Sequence, residues 1–299
     1  MMLFGVPLGK PLRKGIFIMK QKKTLSIVGL GLIGGCYAKT LRDEFDVIYG
    51  IDVDEKALSY AESEGIIDRG FADPKLPLSE SDLIVICLYP NLVEKFIGEN
   101  RDDFKTNAVI TDAAGVKGDL LDRVMKKLPL DIDFIGAHPM AGREVQGVWN
   151  SSEKIFHGAN FIITPHPLNH AENLDLVEKL AYKMGFKRVS RITPEKHDEI
   201  ISFTSQLTHA IAVALVNSDE KDFDTNVFVG DSYRDLTRIA MINEDLWDKL
   251  FMGNKENLIK KIERFEESLD IIKNSLKEGD SESLKEEFRK STMRRKEIS

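Results

Sequence analysis

The sequence predicts an α/β protein in which a doubly wound, parallel sheet is followed by an all-α C-terminal domain. Two observations support this prediction. Short apolar runs alternate with helical stretches through residues 24–191, as in a parallel sheet covered by helices on both faces. After Thr193 we find no convincing strand pattern, and Pro194 stands at the start of a long helical stretch. We therefore expect a leader at 1–23, a sheet domain at 24–191 and a helical domain at 192–299.

The short apolar runs of the first domain are the candidate strands. They lie at 24–28, 47–51, 83–88, 108–111, 134–137, 160–164 and 186–190. The helical stretches between them lie at 37–45, 91–99, 116–128 and 168–184. The first strand, a glycine-rich turn, the first helix and the second strand form the opening unit of a Rossmann-like doubly wound sheet.

The clearest periodicity of the helical domain lies near the end of the chain. Apolar residues recur there at alternating steps of four and three, at Leu258, Ile262, Phe265, Leu269, Ile272 and Leu276. Such a seam packs against another helix over several turns, either within the chain or across a homodimer interface. Both alternatives stay open. Gly279 ends this helix, and Ser283 with Glu286 predicts a capping box for a final helix.

The composition argues against several classes of function. The formal net charge of −7 argues against a general role at nucleic acid or at a membrane surface, where a basic face is expected. No apolar run approaches the roughly 20 residues that span a bilayer. Cys36 and Cys87 lie in apolar segments and are expected to be buried thiols of a reducing compartment. We therefore expect a cytoplasmic protein, with residues 1–23 as a mobile leader and Met19 as an alternative start.

The glycine-rich turn carries the features of a dinucleotide-binding site. Gly29 permits a tight turn, Gly31 lets the backbone approach a pyrophosphate, and Gly34 allows close packing of helix on strand. The helix that starts nearby points unpaired N–H groups and the positive end of its dipole at the phosphates, and Leu32 and Ile33 lie between the glycines of the turn. These five residues are the predicted cofactor-binding turn.

Asp52 ends the second candidate strand, about 20 residues after the turn, where a carboxylate accepts hydrogen bonds from the adenosine ribose hydroxyls. The same carboxylate repels a 2′-phosphate, so we predict NAD as the cofactor in preference to NADP. The alternative is a turn-forming aspartate in the segment 52–54.

An ionisable imidazole directly follows the predicted strand at 134–137. His138 can accept a proton near neutral pH while a neighbouring nicotinamide takes a hydride. The alternative is that Pro139 and Gly142 are simply turn residues and that His138 caps the end of the strand. His138 is therefore the candidate catalytic residue, and no metal is expected.

Two motifs in the helical domain add a family resemblance. Residues 231–240 are Asp-Ser-Tyr-Arg-Asp-Leu-Thr-Arg-Ile-Ala, and residues 205–210 are Ser-Gln-Leu-Thr-His-Ala. Together with the glycine turn, Asp52 and the segment that begins at His138, these motifs resemble the prephenate dehydrogenase family of tyrosine biosynthesis. The resemblance implies oxidative decarboxylation of prephenate by NAD to 4-hydroxyphenylpyruvate and carbon dioxide. In that reaction His138 draws the proton from the substrate hydroxyl, and no metal is required.

The same resemblance implies a set of substrate-binding residues. Arg238 would hold a substrate carboxylate through its planar guanidinium, the alternative being an ion pair with Asp235. His209 would line the pocket, or be a core histidine. Glu144 would gate or organise the arginines, or be a solvated loop acid. Trp247 would close the pocket, or pack in the core.

The chain departs from the family pattern at two positions. Gly115 stands where the family commonly has a serine that hydrogen-bonds the catalytic histidine and the substrate, so the orientation of His138 needs another source. Asp231 stands where a glycine is usual. Asn160 aligns with an acid that relatives accepting the aminated substrate tend to carry, and its neutral amide favours prephenate over arogenate.

Three alternatives remain at this stage. The first is arogenate dehydrogenase. The second is a dehydrogenase of the 3-hydroxyacid type, whose catalytic lysine fits Lys196 poorly, and the third is a non-catalytic NAD sensor. We expect a homodimer formed through the helical domain, a small-molecule substrate and no nucleic-acid or membrane partner. We also expect no amino-acid-binding regulatory domain after the helices.

Overall fold

The computed structural model describes residues 23–220 and 224–298, so the predicted leader lies outside the described residues except for Lys23. The first domain contains an eight-stranded sheet in the order β3-β2-β1-β4-β5-β6-β7-β8. The strands are β1 (Thr24–Val28), β2 (Val47–Ile51), β3 (Arg69–Phe71), β4 (Leu83–Ile86), β5 (Val109–Asp112), β6 (Asp133–Met140), β7 (Asn160–Thr164) and β8 (Arg188–Arg191). The helices of this domain are α1 (Leu32–Thr40), α2 (Glu55–Ser63), α3 (Lys75–Glu80), α4 (Pro90–Glu99), α5 (Leu120–Met125) and α6 (Ala171–Lys183).

The predicted doubly wound sheet is confirmed, with one change of direction. All neighbouring strands are parallel except β6 and β7, which pair antiparallel with His138 opposite Ile162. The expectation of a wholly parallel sheet is therefore wrong at this pair. Strand β3 was also missed, because Arg69 and Gly70 give its three residues no apolar pattern.

The core consists of two apolar layers, one on each face of the sheet. In β4 the side chains alternate between them: Leu83 and Val85 belong to the layer under α1, α2 and α6, while Ile84 and Ile86 belong to the layer under α3, α4 and α5. A strand buried on both faces reads as a continuous apolar run, which is why this strand was visible in the sequence.

The second domain is all helical among the residues that the structure describes. Its helices are α7 (Pro194–Ile201), α8 (Leu207–Asn217), α9 (Thr225–Phe228), α10 (Asp231–Thr237), α11 (Glu244–Gly253), α12 (Lys255–Glu278) and α13 (Ser281–Glu297), with a π-helical segment (Ser202–Gln206) joining α7 to α8. The continuous helix Pro194–Asn217 is long and apolar enough to cross a membrane by length and composition. It buries the polar side chains of His197, Asp198 and Gln206, and each of these side chains has a hydrogen-bond partner within the protein.

Two expectations for the end of the chain can be compared with α12 and α13. The predicted capping box is wrong, because Asp280 caps α13 and its Oδ1 accepts the N–H groups of Glu282 and Ser283. Asp is as good a cap as Ser, and it directly follows Gly279, which ends α12 in a left-handed conformation. Of the apolar seam on α12, Leu258 is buried, whereas Phe265, Leu269 and Leu276 are exposed in the single chain. An intrachain core therefore accounts for only part of the seam.

Candidate active site

The glycine turn between β1 and α1 has the shape of a phosphate cradle. Gly29 has a φ of +89°, and a Cβ there would lie 2.7 Å from the carbonyl oxygen of Cys87. A Cβ at Gly34 would lie 2.0 Å from the carbonyl oxygen of Gly29, so a side chain there would push α1 away from the turn. A Cβ at Gly31, by contrast, would meet nothing within 4 Å. The open space therefore lies beside Gly31, where a pyrophosphate has to approach the backbone.

Helix α1 begins inside this turn, five residues earlier than the sequence analysis expected. The N–H of Gly35 donates to the carbonyl of Gly31 and closes the first turn. The preceding N–H groups, those of Leu32, Ile33 and Gly34, lie at the helix start, where they have no intrahelical acceptor. Gly31 provides no side-chain cap for them. These groups fit the phosphates of a dinucleotide.

Asp52 follows β2 and bonds the glycine turn directly. Its Oδ2 accepts the N–H of Leu30 at 2.6 Å, and its Oδ1 accepts the N–H of Asp54 at 2.9 Å. The second bond is the turn interaction that the alternative interpretation proposed. A carboxylate has about four lone-pair positions, so both bonds leave room for ribose hydroxyls. The next residue, Val53, is 92% exposed and offers no cation for a 2′-phosphate.

A buried ion pair holds the backbone in front of His138. Lys117 Nζ contacts Asp112 Oδ2 at 2.5 Å, and both side chains are fully buried. The pair also binds the backbone of Ala137. Asp112 Oδ1 accepts the N–H of Ala137 at 2.9 Å, and Lys117 Nζ donates to the carbonyl of Ala137 at 2.5 Å. His138 and Pro139 lie within β6, which continues to Met140, so His138 does not cap the end of the strand and Pro139 is not a turn residue.

A second histidine orients the imidazole of His138. His138 Nδ1 lies 2.9 Å from Nε2 of His197, and His197 Nδ1 lies 2.7 Å from Oδ1 of Asp198. Neither His197 nor Asp198 was among the predicted site residues. They lie in a run of five ionisable residues, Glu195 to Glu199, so nothing in the sequence set them apart from a solvated helix face.

The surroundings keep both imidazoles neutral. Burial, followed by the positive charge available on His197 and Lys117, holds the pKa of His138 well below its ordinary value. Burial also lowers the pKa of His197, although its hydrogen bond to Asp198 opposes that shift. A neutral His138 is able to accept a proton at neutral pH.

Gly115 lies beside the reactive side of His138, as the alignment with the family serine suggested. A Cβ at Gly115 would be 3.5 Å from His138 Nε2. It would also be 3.0 Å from Cδ2 of Leu250 on α11, so this leucine occupies the space next to the missing side chain. No hydroxyl from this position reaches His138.

A charged and aromatic cluster forms from the remaining predicted residues. Arg238 Nη1 lies 2.6 Å from Oε1 of Glu144, so the ion pair of Arg238 is with Glu144 and not with Asp235. The rings of His209 and Trp247 stack with centroids 3.7 Å apart, and His209 Nδ1 donates to the carbonyl of Ser205.

The cluster is compact and reaches the neighbourhood of His138. Burial lowers the pKa of His209, and Glu144 and Arg238 both lie close enough to influence that pKa, in opposite directions. Trp247 and Leu250 lie on the same helix, one turn apart, and Leu250 borders Gly115. The arginine side chain is 66% exposed, so a substrate carboxylate has access to it.

Two predicted positions lie outside this cluster. Asn160 is exposed at the start of β7, opposite Met140, with no hydrogen bond to the residues of the cluster. Asp231 is almost fully exposed, 3.4 Å from Arg234 within α10. Within residues 23–220 and 224–298 no group of three His, Cys, Asp or Glu side chains has the arrangement of a metal site.

Comparison with known proteins shows which family shares this sequence and this fold. One family model, the nucleotide-binding domain of prephenate dehydrogenase, matches residues 37–190, and a second, its dimerization domain, matches residues 193–290. The chain is 26% identical to the prephenate dehydrogenase of Bacillus subtilis, over 89% of this chain and 73% of that protein. It is also 26% identical to the cyclohexadienyl dehydrogenase of Zymomonas mobilis, over 90% of this chain and 94% of that protein. A crystal structure of the Aquifex aeolicus prephenate dehydrogenase with hydroxyphenyl propionate and NAD+ superposes with a TM-score of 0.85 at 30% identity, covering 94% and 100% of the two chains.

Proposed function

The chain belongs to the prephenate dehydrogenase family, and from that membership we propose that it catalyses the NAD-dependent oxidative decarboxylation of prephenate to 4-hydroxyphenylpyruvate. The observation that carries the proposal is the position of His138, a neutral and oriented imidazole, at the same end of the strands as the glycine turn. Strands β4 and β5 separate β6 from β1, so the two features are about 14 Å apart. The glycine turn would hold the pyrophosphate of NAD, and His138 would handle the proton of the hydride transfer.

The residues of the glycine turn fit the cofactor. The open space beside Gly31 and the N–H groups of Leu32 and Ile33 receive the pyrophosphate, and Asp52 receives the ribose hydroxyls. When bound, NAD accepts the hydride that leaves the carbinol carbon of prephenate.

His138 acts as the proton acceptor of the reaction. It accepts the hydroxyl proton at Nε2 as the carbinol carbon is oxidised. Departure of carbon dioxide then breaks the bond between the ring and its carboxyl group, and the released electron pair makes the ring aromatic. The developing phenolate oxygen takes the proton back from His138. Prephenate and NAD+ are thereby converted to 4-hydroxyphenylpyruvate, carbon dioxide and NADH with no net proton exchanged.

Arg238 binds the substrate by an exchange of partners. Its guanidinium is held by Glu144 in the free protein, 2.6 Å away. A substrate carboxylate competes for the same planar donors, with His209 and Trp247 at the side of the pocket. Glu144 thus keeps the arginine in position until the substrate arrives.

The helical domain is proposed to form a homodimer. Exposed apolar side chains are concentrated in it: Phe203, Val227, Phe228, Leu236, Met241, Met252, Ile259, Leu269 and Leu276. A domain that leaves this many apolar side chains exposed in the single chain is expected to bind a partner, and the matching family model describes a dimerization domain. Sedimentation equilibrium should give two chains per particle, whereas a monomer at micromolar concentration would contradict this assembly. We place the enzyme in the cytoplasm, in keeping with its two free thiols.

The experiment that tests the function is a direct assay. The purified protein should produce NADH and 4-hydroxyphenylpyruvate from prephenate and NAD, and its kcat/KM should be higher with NAD than with NADP and higher with prephenate than with arogenate. The His138→Asn variant should bind NAD normally and lose about 10²–10⁴-fold in kcat, which is what a positioned general base contributes. Absence of turnover by the unmodified protein would refute the proposal, and an unchanged rate in the variant would refute the assignment of the base.

A further inference from the structure

We propose that His197 is a positioning residue for this reaction: held by Asp198, it fixes the tautomer of His138 so that the Nε2 lone pair faces the substrate. The inference rests on the proposed function, because it concerns the base of that reaction. It accounts for the orientation of an imidazole that lacks a hydroxyl partner at Gly115.

The carboxylate of Asp198 accepts hydrogen bonds on both of its oxygens. Its Oδ1 accepts the N–H of Lys117 at 2.9 Å and its Oδ2 accepts the N–H of Gly118 at 2.7 Å. Both donors belong to the segment that follows β5 in the first domain, whereas Asp198 lies on α7 in the second. Because both oxygens of this carboxylate accept N–H groups, it serves as a hydrogen-bond acceptor toward His197 as well.

The proton positions along the chain of contacts follow from this acceptor. Because Asp198 only accepts, His197 must carry a proton on Nδ1, 2.7 Å away. A neutral His197 then has a lone pair on Nε2, which accepts a hydrogen bond from Nδ1 of His138 at 2.9 Å. His138 therefore carries its proton on Nδ1 and presents the Nε2 lone pair on the side of Gly115. Free histidine prefers the opposite tautomer, so the contact selects the reactive form.

The same contacts assist the transfer itself. When His138 accepts the substrate proton, its imidazolium still donates through Nδ1 to His197, and the charge of Asp198 lies at the far end of the hydrogen-bonded chain. His197 is buried with no exposed surface, so water does not replace it as the partner. Because His138 lies in the sheet domain and His197 in the helical domain, the base is oriented only when the two domains are packed together.

The first test reads the tautomer without any substitution. In protein labelled with ¹⁵N at the histidine rings, His138 should show a protonated Nδ1 and an unprotonated Nε2 at neutral pH. A protonated Nε2 in the unmodified protein would overturn the proposal directly.

The second test uses two variants and a control. His197→Leu removes the acceptor and should lower kcat by about 10- to 100-fold, with less than about threefold change in KM for prephenate or NAD, because only the orientation of the base is lost. His197→Gln places an amide oxygen near the former Nε2 and should recover most of that loss and the Nδ1-protonated signature. His170→Leu is the matched control, since His170 is exposed at the start of α6, beside Asp133 at the opposite end of β6 from His138.

The outcomes separate the inference from the proposed function. Inactive unmodified protein would refute the function, whereas active protein with an unchanged kcat in His197→Leu would refute the positioning role alone. If His197→Leu does not fold, the Gln variant decides: native kcat with the Nδ1-protonated signal supports the proposal. A folded Gln variant with native kcat and a protonated Nε2 on His138 overturns it.

Discussion

Replacement of Lys117 by methionine should destabilise the protein by about 3–5 kcal/mol. Lys117 and Asp112 are both fully buried, and their ion pair measures 2.5 Å. Methionine preserves much of the side-chain volume but leaves the Asp112 carboxylate without its cation, and that is the expected cost of breaking one side of a buried pair. Asp112 would retain the N–H groups of Ala114 and Ala137, so the loss should stay below the cost of an isolated buried charge.

Urea unfolding of the Lys117→Met variant measures this loss, with the slope of the transition checked for two-state behaviour. The double variant Asp112→Asn/Lys117→Met is the internal control, because it removes the unpaired charge and should be less destabilised than the single variant. A single variant that loses less than about 1 kcal/mol would refute the reasoning. So would a double variant less stable than the single one.

Three further predictions concern the substrate, the cofactor and pH. Arg238→Gln should raise KM for prephenate by about 10- to 100-fold through loss of a charge-assisted pair with the substrate carboxylate. Arg234→Gln, at an exposed arginine of the same helical segment, should leave KM unchanged. Equal effects of the two substitutions in steady-state kinetics would contradict this assignment. Gly31→Val should fold normally, because nothing lies within 4 Å of its Cβ, and should lose NAD affinity in a calorimetric titration; native affinity would contradict the cradle. The pKa values of His138 and His197 are both lowered by folding, so below pH about 6.5 the unfolded state binds more protons. The free energy of unfolding should therefore fall as pH decreases from that value, by up to about 1.4 kcal/mol per pH unit for each histidine; urea unfolding at constant stability down to pH about 5 would contradict the shifts.

Most of the fold was predictable because most strands and helices have a recognisable pattern of apolar residues in their own short segment of sequence. β4 is buried on both faces and appears as an uninterrupted apolar run. β3 was not predictable, because it lies at the sheet edge and its pairing with β2 comes from position alone. The reversal between β6 and β7 was hidden for a related reason: a strand buried against others has the same composition in either direction.

The residues alone predicted the fold class, the glycine turn and His138 as the candidate base, whereas the resemblance to the family made Arg238 the candidate ligand of a substrate carboxylate. These features depend on short segments in which spacing and residue type carry the information. How the imidazole of His138 is held could not be predicted, because Asp198, His197 and His138 become neighbours only when the two domains pack together. His138 and His197 are 59 residues apart in the sequence, and their 2.9 Å contact could not be predicted from that separation. In the same way, the partner of Arg238 is Glu144, 94 residues away, and not Asp235, three residues away.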